Sequence, residues 1–199
     1  MKNSSLSRTQ YVAQAGIIAA VYAAATLITM LLLQGLAWGP IQFRISEAIC
    51  VCACMTPAAI PGLTIGCVVA NLINTVITGT GALGLFDVVF GSFATFIGSL
   101  FCWYMRKRPA LAISGFVFAN ALIVPAYLPI LLEGLGFYTI PFTTISLDGA
   151  YLWMYLFGVV STGIGEALVI YVLGLPLLKL LRRSGLGDAT PERRIPSDA

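Results

Sequence analysis

The stretch that decides the fold class is 11–33, YVAQAGIIAAVYAAATLITMLLL, which contains no charged side chain. A helix needs about 20 mostly apolar residues to cross the hydrocarbon core of a bilayer, so this stretch predicts a membrane-spanning helix. Five further segments meet the same criterion, at 41–59, 61–78, 85–105, 110–132 and 150–178. The sequence therefore predicts an all-α integral membrane protein with six transmembrane helices.

The composition agrees with a membrane protein and excludes several other classes. Of the 199 residues, 59% are hydrophobic and only 10% are charged, against about 25% charged in soluble domains. A water-soluble domain, a disordered chain and a nucleic-acid binder with a basic face are thus excluded. The chain has no histidine and no G-x-x-x-x-G-K-[ST] string, so it lacks His-based catalysis and is not itself a P-loop ATPase. Its five cysteines contain no C-x-x-C pair, and we expect buried thiols, with no metal site and no cofactor.

The basic residues predict the orientation in the membrane. With six spans, residues 1–183 form one transmembrane domain, and 184–199 form a polar tail that we expect to be disordered. Only Arg44 then falls on the side opposite to the termini. The remaining basic residues share the side of the termini: Lys2, Arg8, Arg106, Lys107, Arg108, Lys179, Arg182, Arg183, Arg193 and Arg194. Because basic residues favour the cytoplasmic side, we expect a multi-pass protein of the cytoplasmic membrane with both termini inside.

Polar and aromatic residues gather toward the opposite, outer end. Ionisable groups within a membrane are costly and usually face a cavity or a partner, so this end predicts a site for a planar polar ligand. The polar candidates are Gln42, Arg44, Glu47, Asn71, Asp87, Glu133 and Glu166. The candidates for stacking on the ligand are Tyr138, Tyr151 and Trp153.

Each candidate also has a structural interpretation. Arg44 and Glu47 lie three residues apart and can pair on one helix face. Asn71 can bond to another helix, Asp87 can favour a helix dipole, and Glu166 can be neutral or paired. The aromatic residues can form an interfacial belt. Two prolines near the outer end of the fifth helix, at 125 and 129, are expected to break it and free carbonyl groups.

The first helix carries two rows of small residues at spacing four. One row is Ala15, Ala19 and Ala23, and the other comprises positions 16, 20 and 24. Rows of this kind let another backbone approach closely. They indicate either packing against helices of the same chain or a docking face for another membrane subunit.

Four separated strings, in this order, resemble the QueT family of substrate-binding S components of energy-coupling factor (ECF) transporters. They are GPIQFRISE at 39–47, PAAIPGLTIGCVVAN at 57–71, DVVFGSFAT at 87–95 and GEALVIYVLGLP at 165–176. The resemblance covers residues 10–180. It implies an S-component-like bundle without enzyme activity, which works with a transmembrane coupling subunit and two ATPase subunits. It also implies that the coupling subunit docks on Ala15, Ala19 and Ala23.

The resemblance further implies a substrate among the queuosine precursors, which are 7-deazaguanine bases. A guanine-like edge offers two adjacent donors that a carboxylate can accept together. We expect Glu47 to accept them, with Glu166 as the alternative, because Glu47 lies nearer to water. An S component for another vitamin-like ligand, a stand-alone carrier and a purely structural membrane protein remain open alternatives, whereas an enzyme lacks a catalytic constellation.

Overall fold

The computed structural model describes residues 7–32, 44–134, 144, 146 and 151–185, except the side chains at 128 and 131–134. All regular elements within these residues are helices. Five of them are long and apolar enough to cross a membrane, and a shorter apolar helix lies between the first two. The prediction of an all-α membrane bundle of six helices is therefore confirmed.

The six helices follow the predicted segments closely. They are α1 (Arg8–Leu32), α2 (Ile45–Cys54), α3 (Ala59–Thr78), α4 (Gly81–Tyr104), α5 (Ser114–Gly134, preceded by the short helical turn Pro109–Ala112) and α6 (Tyr151–Arg183). Of the tail that was predicted to be disordered, residues 186–199 lie outside the described part of the chain.

Helix α2 differs most from its prediction. It is wound as a 3-10 helix and ends at Cys54, whereas the sequence predicted a span up to position 59. At about 2.0 Å of rise per residue, its ten residues cover roughly 20 Å, less than the hydrocarbon thickness of about 30 Å. The chain turns at once into α3, in which Pro61 lies in the first turn.

The expected break at the two prolines of α5 is wrong. Pro125 and Pro129 both lie inside a continuous helix that ends at Gly134. A Cβ atom on Gly158 of α6 would lie only 2.7 Å from the Cβ of Pro125. The glycine therefore gives the proline ring room between the two helices, and packing of this kind is one reason why membrane helices tolerate proline.

Two helices contain a segment of π-helix. In α4 it is Asp87–Gly91, and in α6 it is Leu168–Gly174. Such segments are rare and frequently lie at functional sites.

Glycines allow close packing at the end of the bundle where the α4–α5 turn lies. A Cβ atom on Gly62 or Gly66 of α3 would lie 2.8 Å from a backbone oxygen of α1. Similarly, a Cβ on Gly98 of α4 would meet the Phe116 ring of α5 at 2.6 Å. The apolar core beside these contacts includes Cys50, Val51, Leu63, Ile113, Phe116, Ile170 and Leu178. All five cysteines are free thiols, and all but Cys52 are buried.

Candidate binding site

A polar cavity lies among four helices toward the end of the bundle opposite to the α4–α5 turn. Helices α2, α4, α5 and α6 each contribute to its wall. The lining residues are Arg44, Glu47, Asp87, Gly91, Thr95, Asn120, Val124, Tyr127, Thr162 and Glu166. The structure thus brings together four of the predicted site residues, at positions 44, 47, 87 and 166. The cavity volume is only about 10 Å³, which is the space of one water molecule, so a larger ligand requires the lining groups to separate.

Glu47 is a buried carboxyl group, 4% exposed, near the start of α2. Its Oε1 accepts a hydrogen bond of 2.6 Å from the hydroxyl of Tyr22 on α1. Its Oε2 accepts one of 3.1 Å from the thiol of Cys50, one turn along α2. Both oxygens therefore already have donors within the protein.

Arg44 does not form the ion pair with Glu47 that their spacing permits. Its Nε has no hydrogen-bond partner among the described residues, and the two Glu47 oxygens accept from other groups. Of the carboxylates, Asp87 attracts the guanidinium most strongly, ahead of Glu47. The guanidinium is thus a cation inside the cavity, and its N–H donors are not paired with the carboxylate of Glu47.

Asp87 is the first residue of the π segment in α4 and is 3% exposed. The hydroxyl of Tyr127 donates to its Oδ1 at 2.5 Å. Its other oxygen, Oδ2, has no partner among the described residues. One carboxylate oxygen of Asp87 is therefore held by the protein and the other is open.

Glu166 lies on α6, two residues before the π segment, and is 6% exposed. Its Oε1 has no hydrogen-bond partner among the described residues. Its side chain interacts with Asn120 and with the carboxyl group of Glu47, and Glu47 acts on it more strongly than Arg44 does. Glu166 thus interacts with both a carboxyl group and a guanidinium in the cavity.

The other predicted site residues lie elsewhere or outside the described residues. Asn71 is buried beside the cavity, where its Nδ2 donates to the backbone oxygen of Asp87 at 2.9 Å, so it shapes the wall and does not line it. Tyr151 and Trp153 are 50% and 66% exposed. The hydroxyl of Tyr151 donates to the backbone oxygen of Ala126, and these two residues fit the belt interpretation. Gln42 and Tyr138 lie outside the described residues, as does the side chain of Glu133.

The aromatic ring that does line the cavity is Tyr127. It stacks with Phe86 and Phe90 at centroid distances of 6.0 and 5.7 Å. None of these three residues was among the stacking candidates predicted from the sequence. Tyr127 is therefore the stacking candidate among the described residues, and a stacking role for Tyr138 stays a prediction.

A spacing signal could have identified the missed residues. The lining residues recur with helical spacing on each wall: 87, 91 and 95 on α4, 120, 124 and 127 on α5, and 162 and 166 on α6. Positions three and four apart share a helix face. One helical turn from the predicted carboxylates Asp87 and Glu166 reaches Gly91 and Thr162, and a second turn along α4 reaches Thr95.

The first row of small residues on α1 lies inside the bundle. Ala23 is buried, and Ala15 and Ala19 are half-buried against Gly62 and Gly66 of α3. The outward-facing row is the second one, since Gly16, Ala20 and Ala24 are exposed. This packing corresponds to the same-chain alternative. Docking of a coupling subunit on Ala15, Ala19 and Ala23 stays a prediction.

The cavity can bind a polar ligand that offers both donors and acceptors. Three carboxyl groups and one guanidinium border it, with hydroxyl and amide groups between them. Buried groups of this kind are costly unless they find partners. Among the described residues, no group of three or more His, Cys, Asp or Glu side chains is arranged to hold a metal ion.

Comparison with known proteins identifies the family. The model of the QueT transporter family matches residues 12–183, a range that contains α2 to α6, all of α1 except its first four residues, and the whole lining of the cavity. No curated protein and no solved structure matches the chain. With its apolar helices, the protein is a multi-pass membrane protein, and the chain belongs to the QueT transporter family.

Proposed function

We propose that the protein is the substrate-binding S component of an ECF-type importer and that it captures a queuosine precursor, a 7-deazaguanine base. The observation that carries this proposal is the cavity, in which four helices bring Arg44, Glu47, Asp87 and Glu166 together inside an apolar bundle. Intramembrane ionisable groups are by default a sign of function. The family supplies the transport role, and the cavity supplies a place for the ligand.

The chemistry of a 7-deazaguanine base complements the cavity. Its ring N–H and exocyclic amine are donors, which suit carboxylate oxygens, and its carbonyl oxygen is an acceptor, which suits the guanidinium of Arg44. Its flat faces suit the ring of Tyr127, and stacking of a base on an aromatic ring is worth about 1–3 kcal/mol in nucleic-acid complexes. Because the cavity is small, binding includes a separation of the lining helices or side chains.

Energy for transport comes, in this proposal, from partner subunits. The chain has no P-loop motif, so a transmembrane coupling subunit and two ATPase subunits supply the work. The ten-to-one distribution of basic residues supports the cytoplasmic membrane as the location, with both termini inside. Single cysteines at positions 107 and 142, on a cysteine-free background, test the orientation: an impermeant thiol reagent should label 142 and not 107 in intact cells.

The experiment that tests the substrate is direct binding. The purified protein is titrated by calorimetry with 7-cyano-, 7-aminomethyl- and unsubstituted 7-deazaguanine, and any small molecule that co-purifies is identified by mass spectrometry. We expect micromolar or tighter binding of at least one base. Adenine serves as the control ligand, because its donor and acceptor pattern differs from that of guanine. Failure of all three bases, together with a different co-purified compound, would reassign the ligand and leave the family unchanged.

Uptake tests the coupling. A strain that cannot make the precursor should accumulate labelled base only when the protein is expressed together with the coupling and ATPase subunits. Uptake by the protein alone would indicate a stand-alone carrier.

A further inference from the structure

The three carboxyl groups of the cavity differ in how far the protein satisfies them. Both oxygens of Glu47 accept protein donors, at 2.6 and 3.1 Å. Asp87 has one oxygen held by Tyr127 and one without a partner among the described residues. Glu166 likewise has a buried oxygen without a partner among the described residues, and its side chain interacts with the carboxyl group of Glu47.

These differences matter because unsatisfied buried acceptors are costly. Leaving a buried polar atom without a hydrogen-bond partner costs about 1–3 kcal/mol. A ligand that brings N–H donors to Asp87 Oδ2 and Glu166 Oε1 removes this cost, and its binding is more favourable as a result. A ligand gains less at Glu47, since each of its oxygens already accepts a hydrogen bond from the protein. The geometry therefore distinguishes Asp87 and Glu166, each with an oxygen that lacks a donor among the described residues, from Glu47, which links α1 to α2.

The backbone supports the same separation. Asp87 opens the π segment of α4, whose last residue, Gly91, also lines the cavity. Glu166 lies two residues before the π segment of α6. Glu47 instead joins α2 to the buried Tyr22 of α1. The two open carboxyl groups thus lie where the helices depart from regular winding, as is common at functional sites.

We propose that Glu166 and Asp87, and not Glu47, are the carboxyl groups that bind the ligand, and that Glu47 is a positioning residue. Glu166 accepts the two-donor edge of the base, because its Oε1 is open and its other contacts are with the side chains of Asn120 and Glu47, whereas a tyrosine hydroxyl already holds one oxygen of Asp87. Asp87 accepts a donor on another side of the ligand, and its one open oxygen suits a single N–H group. This inference rests on the proposed function and replaces the sequence-based expectation that Glu47 accepts this edge.

The test compares three isosteric variants: Glu166→Gln, Asp87→Asn and Glu47→Gln. Each is titrated with 7-deazaguanine and with 7-deazahypoxanthine, which lacks the exocyclic amine. Wild type should prefer 7-deazaguanine by about 100-fold or more, because a site built for a donor rejects the analogue that lacks it. Glu166→Gln should reduce this preference to less than about fivefold, since an amide offers only one acceptor. Asp87→Asn should weaken both ligands and preserve the preference.

Glu47→Gln is the matched control within the same cavity. It should weaken both ligands by the same factor, and it should lower the thermal unfolding midpoint of the empty protein because it disturbs the donors from Tyr22 and Cys50. Asp87→Asn and Glu166→Gln should not lower that midpoint. Loss of the preference in Glu47→Gln, with the preference retained in Glu166→Gln, would overturn the assignment.

The unfolding midpoints of the empty variants distinguish a wrong substrate from a wrong assignment of the carboxyl groups. If wild type binds neither base, the proposed substrate is wrong, but the inference still predicts which carboxyl group supports the empty protein. Destabilisation confined to Glu47→Gln would then support it. Equal or greater destabilisation in Glu166→Gln would overturn it.

Discussion

The two ends of the bundle bring helices together in different ways. Near the α4–α5 turn, glycines meet backbone and aromatic atoms, and a Cβ on Gly66 would lie 2.8 Å from the backbone oxygen of Ala19. At the opposite end, the helices enclose Arg44 and three carboxyl groups around a small cavity. The first arrangement gains stability from dispersion and close approach. The second retains costly unsatisfied groups, which is expected where a ligand supplies the missing partners.

Substitution of Gly66 should have the largest effect on the isolated protein. In Gly66→Leu, the side chain would meet the Ala19 backbone and the Cβ of Tyr22, at 2.8 and 3.1 Å from the first added atom. Backbone atoms do not move aside cheaply, so we expect a loss near the upper end of overpacking costs, about 3 kcal/mol. Unfolding in mixed micelles measures the loss.

Gly16→Leu is the matched control, because a Cβ on Gly16 meets no atom within 4 Å. It should unfold within about 0.5 kcal/mol of wild type, as exposed substitutions usually do. Equal destabilisation by both variants would show that the close approach of α1 and α3 is not what stabilises this end.

Arg44→Ala should have the next largest effect, on ligand binding. Arg44 is the only cation that lines the described cavity, and hydrogen bonds to charged groups are worth about 1.5–3 kcal/mol. The dissociation constant for 7-deazaguanine should rise by about 100-fold, which corresponds to about 2.7 kcal/mol. Calorimetry measures this change.

Arg44→Lys separates charge from shape, because lysine keeps the charge but not the planar array of donors. We expect it to bind with an intermediate affinity. If the dissociation constant of Arg44→Ala rises by less than about threefold, which is well under the tenfold that corresponds to 1.4 kcal/mol, the guanidinium does not contact the ligand.

The sequence predicted one end of the molecule better than the other. Apolar length alone located all six helices, and the two rows on α1 indicated close helix packing. The sequence did not reveal that α2 is a short 3-10 helix or that α5 continues through Pro125. Such features depend on neighbouring residues in the fold, such as Gly158 beside Pro125. The donors that satisfy Glu47 come partly from Tyr22, which lies 25 positions earlier in the chain. Only the packing of α1 on α2 brings them together, so the sequence could select the carboxyl groups but not rank them.

Removal of one hydroxyl group from the cavity should have a moderate effect. Tyr127→Phe keeps the ring that stacks with Phe86 and Phe90 but removes the donor to Asp87. A typical hydrogen bond contributes about 1 kcal/mol, so affinity for 7-deazaguanine should fall by about fivefold, as measured by calorimetry.

The control is Tyr151→Phe, which removes the hydroxyl of an exposed tyrosine whose donor reaches a backbone oxygen outside the cavity. Its affinity should equal that of wild type. A larger loss in Tyr151→Phe than in Tyr127→Phe would restore Tyr151 as a site residue.

The smallest effect on the isolated protein is expected on the outward row of α1, and it is there that docking can be tested cleanly. Ala19 contacts Gly66, so Ala19→Leu disturbs folding and assembly together. Ala20 is exposed on the neighbouring row. Ala20→Leu should leave unfolding and ligand affinity unchanged, while bulk on that face blocks the close approach of a coupling subunit. Co-purification with the coupling and ATPase subunits measures assembly. Intact assembly of Ala20→Leu would direct the search for the docking face back to the row of Ala15, Ala19 and Ala23 or to another helix.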